Sequence, residues 1–307
     1  MALLVFGSIN MDLVARTPRL PAPAETITGH EFFTAPGGKG ANQAVAAAKL
    51  NIPTKMIGRV GGDGFGAELL QNLQTNGVDT ASVWVDNDVS SGVAIIAVDD
   101  QAQNNIIIVP GANGRVAQPD VERLAANLDD ANVLLLQLEV PLEATLAAAR
   151  AARERGVTVI LDPAPARQLP PQLYRLVNII TPNEVEAAQL VDFPITTQQD
   201  ALRAAETLLE RGVEIAIVKM GAQGVVYATK TGQQGFVPAF KIKAVDTVAA
   251  GDAFNGGFAA ALMQQLKLEQ AIVWGAAAGA LSATKAGAQP SMPSRAEFDQ
   301  FLQNNAN

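Results

Sequence analysis

The sequence contains no cysteine and only one histidine, His30, among its 307 residues. Without cysteine the chain can form no disulfide, thiolate nucleophile or Cys-ligated zinc site. A single histidine also disfavours Ser-His-Asp catalysis and metal sites built from several histidines. Chemistry must therefore rest on Asp, Glu, Asn, Lys and backbone amides, and we assign no role to His30.

Positive charge and aromatic residues are also scarce. The 22 Lys and Arg residues against 30 Asp and Glu residues give a net charge of −8. This balance disfavours binding to nucleic acid or to an anionic membrane, so we expect a small-molecule partner and no nucleic-acid or membrane partner. Two Trp and two Tyr residues offer little for stacking on a nucleobase, which disfavours nucleoside substrates.

Long hydrophobic runs are missing as well. Residues 1–6 carry no basic leader and are too short for a signal peptide or a membrane span, and the apolar segment 271–281 is also too short. We therefore expect a cytoplasmic protein. Hydrophobic residues make up 49% of the chain, enough for one large α/β domain or two modest ones.

Short apolar runs that end in polar residues recur along the chain, at residues 3–6, 134–136, 157–161, 179–180 and 215–218. From residue 118 onward they alternate with helical segments. This pattern predicts a doubly wound, mainly parallel sheet with helices on both faces. Ligands bind at the carboxyl ends of such strands, so Asn10 and Asp12, just after the first run, are candidate ligand contacts. Turn formation is the alternative explanation for both residues.

A glycine-rich loop at residues 36–40 leads into a helical segment that contains Asn42. It fails as a Walker A loop, because Phe33 replaces the first glycine and Gly40 the magnesium-binding Ser or Thr. Lys39 and Asn42 bring donors that suit polar ligands such as sugars. A second cluster, from Gly62 to Gly66, fails the dinucleotide fingerprint because residue 67 is Ala, which disfavours a nicotinamide enzyme. That cluster predicts a turn into a helix over residues 67–75.

Two segments predict a small β-sheet apart from the main one. Residues 17–33 lose the helical period, and the runs 93–98 and 105–109 flank a turn, as in a hairpin. We predict one domain over residues 1–307, with a β lid formed by about 12–35 and 90–112. Such a lid could exclude water from a reaction.

The chain is organised around residues 245–257, where very small residues precede an apolar helix. A helix start holds anions well when no side chain blocks it, and Ala249, Ala250 and Gly251 leave the approach open. Asp252 is unusual in an anion site unless it accepts a proton from a hydroxyl that attacks phosphorus. The alternative is that Asp252 stabilises the helix start through the helix dipole.

The sequences GGKGAN at residues 37–42 and DTVAAGD at residues 246–252 together resemble the two signature regions of the ribokinase (PfkB) family of carbohydrate kinases. The resemblance covers essentially the whole chain. It implies a ribokinase-like fold and ATP-dependent transfer of the γ-phosphate to the 5-hydroxyl of D-ribose. It also implies Mg²⁺ with ATP, a potassium activator and a homodimer formed through the β lid.

The resemblance further implies roles for individual residues. Asp252 would be the general base, beside an anion hole of amides from Ala249, Ala250 and Gly251. The residues implied to bind the sugar are Asn10, Asp12, Gly38, Lys39, Asn42, Glu139 and Asp252. Those implied to bind ATP are Asn183, Lys219, Gly221, Gly224, Gly251 and Asp252. Glu186 would act on magnesium through water. Relatives often have Thr at position 219, so Lys219 is a departure from the family pattern.

The implied potassium site consists of a carboxylate and main-chain carbonyls, and its positions are matched by Asp246, Val248, Ser282, Lys285, Gly287 and Ser291. For residues 285–288, an ordinary helix C-cap containing glycine is the alternative. For the whole chain, the alternatives are a deoxyribokinase, another sugar or nucleoside kinase of the family, and a sugar-binding protein without catalysis. A mere binder would not need a carboxylate such as Asp252 inside an anion site.

Overall fold

A nine-stranded sheet forms the centre of the protein in a computed structural model that describes residues 1–101 and 103–305. Its strands, in chain order, are β1 (Ala2–Phe6), β4 (Thr54–Gly61), β5 (Val78–Asp86), β8 (Ala131–Leu136), β9 (Thr158–Leu161), β10 (Ile179–Ile180), β11 (Ile215–Lys219), β12 (Val225–Thr229) and β13 (Gln234–Val237). The spatial order is β13-β12-β11-β10-β9-β8-β1-β4-β5, and of these nine strands only β12 runs opposite to the others. The chain winds outward from β1 in one direction and then from β8 in the other, so the topological switch point lies between β1 and β8.

Helices cover both faces of this sheet, which confirms the predicted doubly wound fold. They are α1 (Lys39–Lys49), α2 (Gly64–Thr75), α3 (Gln118–Ala125), α4 (Leu142–Glu154), α5 (Pro171–Leu176), α6 (Glu184–Val191), α7 (Gln198–Arg211), α8 (Ala250–Met263), α9 (Leu268–Ala283) and α10 (Arg295–Asn304). One face buries apolar residues of α1, α2, α8, α9 and α10, and the other buries those of α3 to α7. No helix in the described ranges has the length and hydropathy needed to cross a bilayer.

Local sequence explains where several helices begin. Thr197 accepts the Asp200 amide at the start of α7, and Asp63 accepts the Gly66 amide at the start of α2. Such side-chain caps satisfy amides that have no partner inside the helix. Because Asp63 caps it, α2 begins at Gly64, three residues before the start predicted at Ala67.

A separate four-stranded sheet stands beside the main one, as the sequence predicted. It contains β2 (Asn10–Thr17), β3 (Glu31–Gly37), β6 (Gly92–Asp99) and β7 (Asn104–Val109), in the order β3-β2-β6-β7. The predicted hairpin is the antiparallel pair of β6 and β7. Since β2 starts only four residues after β1 ends, this small sheet rises directly from the switch point.

Candidate active site

A partly buried hydrogen-bond cluster marks the cleft at the switch point between β1 and β8. Ser8, just after β1, donates its hydroxyl to the Glu139 carboxylate, which follows β8. The same carboxylate accepts the backbone amide of Lys39 at 3.0 Å. Three segments that are distant in sequence therefore meet where ligands bind in open α/β sheets.

Asn10 and Asp12 enter this cleft from the first residues of β2. Asn113 donates to the Asn10 side-chain oxygen at 2.7 Å and also bonds the backbone of Ile9, so the Asn10 amide is fixed in orientation. Asp12 lies against Gly37, where an added Cβ would come within 2.5 Å of the carboxylate. Both residues belong to a strand, so the alternative of turn formation is wrong.

Asp252 lies in the first turn of α8 and is only 5% exposed. Its carboxylate accepts hydrogen bonds from Asn42 at 2.9 Å and from Gln43 at 3.1 Å. The N-cap position is Ala249, in the left-handed region with φ of 59°. The Asp252 carboxylate thus faces α1 across the cleft and makes no cap hydrogen bond, although its position in the first turn still allows the predicted interaction with the helix dipole.

The amides at the start of α8 are largely unpaired. Ala250 donates to Thr247 at 3.2 Å. Within the described ranges, the amides of Ala249, Gly251 and Asp252 have no protein acceptor. Unpaired amides at a helix start attract negative charge, so this turn can hold an anion beside the Asp252 carboxylate.

Burial and neighbouring charges shift the acids in the cleft. Burial is the main cause that raises the pKa of Asp252 to about 6, against the opposing effect of Lys39. Burial, followed by the charges of Glu139 and Asp252, raises the pKa of Asp12 to about 7. Burial alone would lower the pKa of Lys39, but Asp252, Asp162 and Glu139 together raise it. Perturbed acids of this kind around one cleft are typical of active sites.

Several residues predicted to bind ATP, and Glu186, which was predicted to act on magnesium, lie on the β10 and β11 side of the same cleft. Asn183 and Glu186 form a reciprocal capping box at the start of α6, with both hydrogen bonds at 2.8 Å. Burial and the Asp162 charge raise the pKa of Glu186. Gly221 and Gly224 have φ values of 50° and 109°, which glycine adopts readily, so the turn after β11 depends on them.

Lys219 connects this side of the cleft to the start of α8. Its ammonium group lies 3.2 Å from the Asp162 carboxylate. It also lies 3.4 Å from the position that a Cβ added to Gly251 would take. The residue that departs from the family pattern is therefore placed beside the open amides.

The structure adds residues for which the sequence predicted no role. Gln43 bridges Asp162 and Asp252, Gln137 donates to Gln43 at 2.7 Å, and Asn113 orients Asn10. Asp162 was visible as a polar residue at a strand end. The other three carry no local signal, because their partners lie about a hundred or more residues away in the chain.

The residues predicted for potassium come together at the turn before α8. Asp246 accepts the amides of Val248 and Gly287, each at 2.9 Å. Ser282 and Ser291 share a buried hydrogen bond of 2.6 Å, and the Lys285 amide donates to Ser282. The helix α9 ends at Ala283, with Thr284 as its C-cap, so residues 285–288 lie beyond the cap. A C-cap glycine does not explain them.

The donor atoms fit the two ions differently. The Asp246 carboxylate and main-chain carbonyls of the predicted residues are oxygen donors, which suit a hard monovalent cation. For magnesium, no group of three or more Asp, Glu or His side chains arranged to hold a metal occurs in the described part of the chain. Glu186 fits a magnesium ion that keeps most of its waters and is carried by the nucleotide.

The chain is similar over nearly its full length to known proteins. The model of the family described as "pfkB family carbohydrate kinase" matches residues 2–295. The ribokinase of Haemophilus influenzae is 40% identical and the deoxyribokinase of Salmonella typhi 39%, with at least 98% of both chains covered in each comparison.

Solved structures agree with this result. The fold is similar to the crystal structure of a ribokinase from Thermotoga maritima, with a TM-score of 0.91, 38% identity and 99% of both chains covered. It is also similar to the ribokinase of Arabidopsis thaliana complexed with ribose and ATP, with a TM-score of 0.92, 33% identity and 98% of both chains covered. The chain therefore belongs to the pfkB family of carbohydrate kinases, and the protein is a sugar kinase, a phosphotransferase.

Proposed function

We propose that this enzyme transfers the γ-phosphate of ATP to the 5-hydroxyl of D-ribose, giving D-ribose 5-phosphate and ADP. One observation carries the proposal: a buried carboxylate, Asp252, lies in the same helix turn as unpaired amides. A hydroxyl and a phosphate held there would meet beside both. The similarity to ribokinases supports ribose as the sugar.

Asp252 acts as the general base. With a pKa of about 6 it is mostly ionised at neutral pH and can still accept a proton from the attacking hydroxyl. The sugar oxygen then bonds to the γ-phosphorus as the bond to the β-phosphate oxygen breaks, and ADP leaves. The amides of Ala249, Ala250 and Gly251 stabilise negative charge on the transferring group, although Ala250 also donates to Thr247.

The sugar is held by the residues on the β1 and α1 side of the cleft. Ionised Asp12 can accept hydrogen bonds from two neighbouring hydroxyls, and Asn10 is oriented for contact by Asn113. Gly38, Lys39, Asn42 and Glu139 complete this subsite. Asn183, Lys219, Gly221 and Gly224 line the nucleotide side.

Two ions serve this reaction. Magnesium bound with the nucleotide would neutralise phosphate charge, and Glu186 would hold it through water. Potassium would be bound by Asp246, Val248, Ser282, Lys285, Gly287 and Ser291. By fixing Asp246 it would order the turn that presents the unpaired amides, since Asp246 already accepts the Val248 amide.

The whole chain, 1–307, works as one domain with a lid formed by about residues 12–35 and 90–112. Several large apolar side chains of the small sheet are exposed, among them Phe32, Ile95, Ile106 and Ile107. A second copy of the chain packing on this sheet would bury them, so we propose a homodimer formed through the lid.

A deoxyribokinase is the second candidate, because the Salmonella typhi deoxyribokinase is nearly as similar as the ribokinases. The two sugars differ only by the 2-hydroxyl. A site that hydrogen-bonds this hydroxyl through Asp12 would prefer ribose, since 2-deoxyribose leaves a buried acceptor unpaired.

Turnover of a sugar panel with ATP and Mg²⁺, in which ribose competes against 2-deoxyribose, tests the substrate. We expect ribose to have the higher kcat/KM, and a preference for 2-deoxyribose would contradict the proposal.

The variant Asp252→Asn tests the base. We expect it to lose roughly 10³-fold in kcat while it retains ribose binding. Unchanged turnover would refute the base assignment.

A further inference from the structure

Lys219 and Asp162 form an ion pair inside the cleft, at the carboxyl ends of β11 and β9. The ammonium nitrogen lies 3.2 Å from the Asp162 carboxylate, and the two side chains are only 12% and 3% exposed. A buried pair with such limited solvent contact interacts more strongly than a surface pair. The pair lies at the strand ends where ligands bind in such sheets, so it is placed to act on a ligand.

The pair is linked directly to the general base. The Gln43 side-chain amide donates to Asp162 at 3.0 Å and to Asp252 at 3.1 Å. Gln137 donates to the Gln43 oxygen, which fixes which end of the amide faces the two carboxylates. One NH₂ group therefore holds both acids at a set separation.

The pair is also linked to the open amides of α8. The Lys219 nitrogen lies 3.4 Å from the position of a Cβ added to Gly251. Asp162 is its only hydrogen-bond acceptor among the described residues, and an ammonium group has three N–H donors. Two donors are thus available to a phosphate that arrives at the start of α8.

We propose that Lys219 and Asp162 are a releasable charge pair: Lys219 leaves Asp162 to hold the terminal phosphate of the nucleotide, and Asp162, no longer neutralised, strengthens Asp252 as a base through Gln43. This inference rests on the proposed function. It makes Lys219 a phosphate-binding residue and Asp162 a positioning residue. The proton affinity of Asp252 then rises only when the terminal phosphate of the nucleotide is bound.

Other charges face Asp252 from the surrounding elements. Lys39 on α1 stabilises its ionised form, while Asp12 on β2, Glu139 after β8 and Glu186 on α6 add negative charge to the cleft. Substitution of Lys219 or Asp162 leaves all four in place. A shift that such a variant causes can therefore be assigned to the pair.

Nucleotide binding gives the first test and does not depend on turnover. We expect Lys219→Met to bind a non-hydrolysable ATP analogue with Mg²⁺ about tenfold more weakly, but ADP less than threefold more weakly, by calorimetry. Asp162→Asn should bind the analogue at least as tightly as the unaltered enzyme, because no ion pair must break. Equal weakening of the analogue by both variants, or equal loss for analogue and ADP, would overturn the proposal.

The pH profile of the single-turnover rate gives the second test. Removing the negative charge in Asp162→Asn should move the acid limb to lower pH by about one unit, and removing the positive charge in Lys219→Met should move it to higher pH. A purely structural role would lower the rate in both variants without opposite shifts. Shifts in the same direction, or no shift, would overturn the coupling.

Two further variants keep the outcomes separable. Glu214→Gln removes a charge just before β11, at the opposite end of the strand from Lys219, and should change neither binding nor the profile. Asp252→Asn, measured in parallel, tests the base itself. If it keeps its turnover, the proposed function fails; if it loses turnover while Asp162→Asn keeps an unshifted profile, only the charge pair fails.

Discussion

Helices α1 and α8 begin at the same cleft, but their first turns are used in opposite ways. Within the described part of the chain, the first three amides of α1 all have acceptors: Lys39 donates to Glu139, Gly40 to the Ser8 hydroxyl and Ala41 to the Ser8 carbonyl. In α8 the corresponding amides of Gly251 and Asp252 have none. Neither helix has a side-chain cap hydrogen bond.

The two similar helix starts therefore serve different purposes: that of α1 is structural, and that of α8 is available to a ligand. At α1 the protein fills the helix start with its own oxygen atoms, which joins α1 to the β1 and β8 strand ends. At α8 it leaves the positive end of the helix for a ligand. The helices pack closely, because a Cβ at Gly256 of α8 would come within 2.5 Å of Ala46 of α1.

Adding one methyl group at each helix start should separate the two roles most clearly. A Cβ at Gly40 would lie 2.8 Å from backbone atoms of Gly7 and Ser8, so Gly40→Ala should cost about 3 kcal/mol of unfolding free energy. At Gly251 the nearest atom is the flexible end of Lys219, at 3.4 Å. There Ala should leave stability equal or higher by up to about 1 kcal/mol, while it lowers kcat.

Denaturant unfolding measures the stability of both variants, and steady-state turnover measures their activity. A stable, active Gly40→Ala enzyme would contradict the structural role of the filled helix start. A Gly251→Ala enzyme with unchanged kcat would contradict the functional role of the open one.

Asp12 faces the filled side and is expected to reduce stability in exchange for binding. Its folded pKa of about 7 is above the ordinary value of 3.8, so the folded state binds this proton more tightly and stability falls as pH rises through that range. We expect Asp12→Asn to be more stable than the unaltered protein by about 2 kcal/mol at pH 8, with the difference vanishing near pH 4. Ribose binding should weaken. A stability difference independent of pH would show that the buried charge of Asp12 is not its cause.

Substitution of Asp246 tests the open helix start of α8 and has the smallest expected effect. Its carboxylate fixes the turn before α8 through the amides of Val248 and Gly287. We expect Asp246→Asn to lower kcat about tenfold, equivalent to ~1.4 kcal/mol, and to reduce the ratio of activity in KCl to that in NaCl. A variant that responds to potassium as the unaltered enzyme does would argue against the cation site.

Much of the fold could be predicted from the sequence, because buried parallel strands and their polar ends leave a continuous pattern. The run that ends at Phe6 and the hairpin around Asp99 both form as predicted. The helix after the small residues at 249–251 forms as well. These features depend on local hydrophobicity and turn chemistry, which sequence displays directly.

The hydrogen bonds between polar side chains inside the site could not be predicted from the sequence in this way. Gln43 follows Asn42 in an ordinary helical segment, and nothing near it in sequence indicates that it bridges Asp162 and Asp252, more than a hundred residues away. Tertiary contacts between polar side chains leave no periodic trace.

The short connection between β1 and β2 has a consequence for how specificity can change. Asp12 belongs to the small sheet, whereas Asp252 belongs to a helix packed on the large one. Any rotation of the small sheet would therefore displace Asp12, which we propose to bind the sugar, relative to Asp252, the proposed base. Sugar binding and reactivity are therefore coupled through the orientation of the small sheet. Substitutions in β6 or β7 can change which sugar reacts even though they do not contact the sugar.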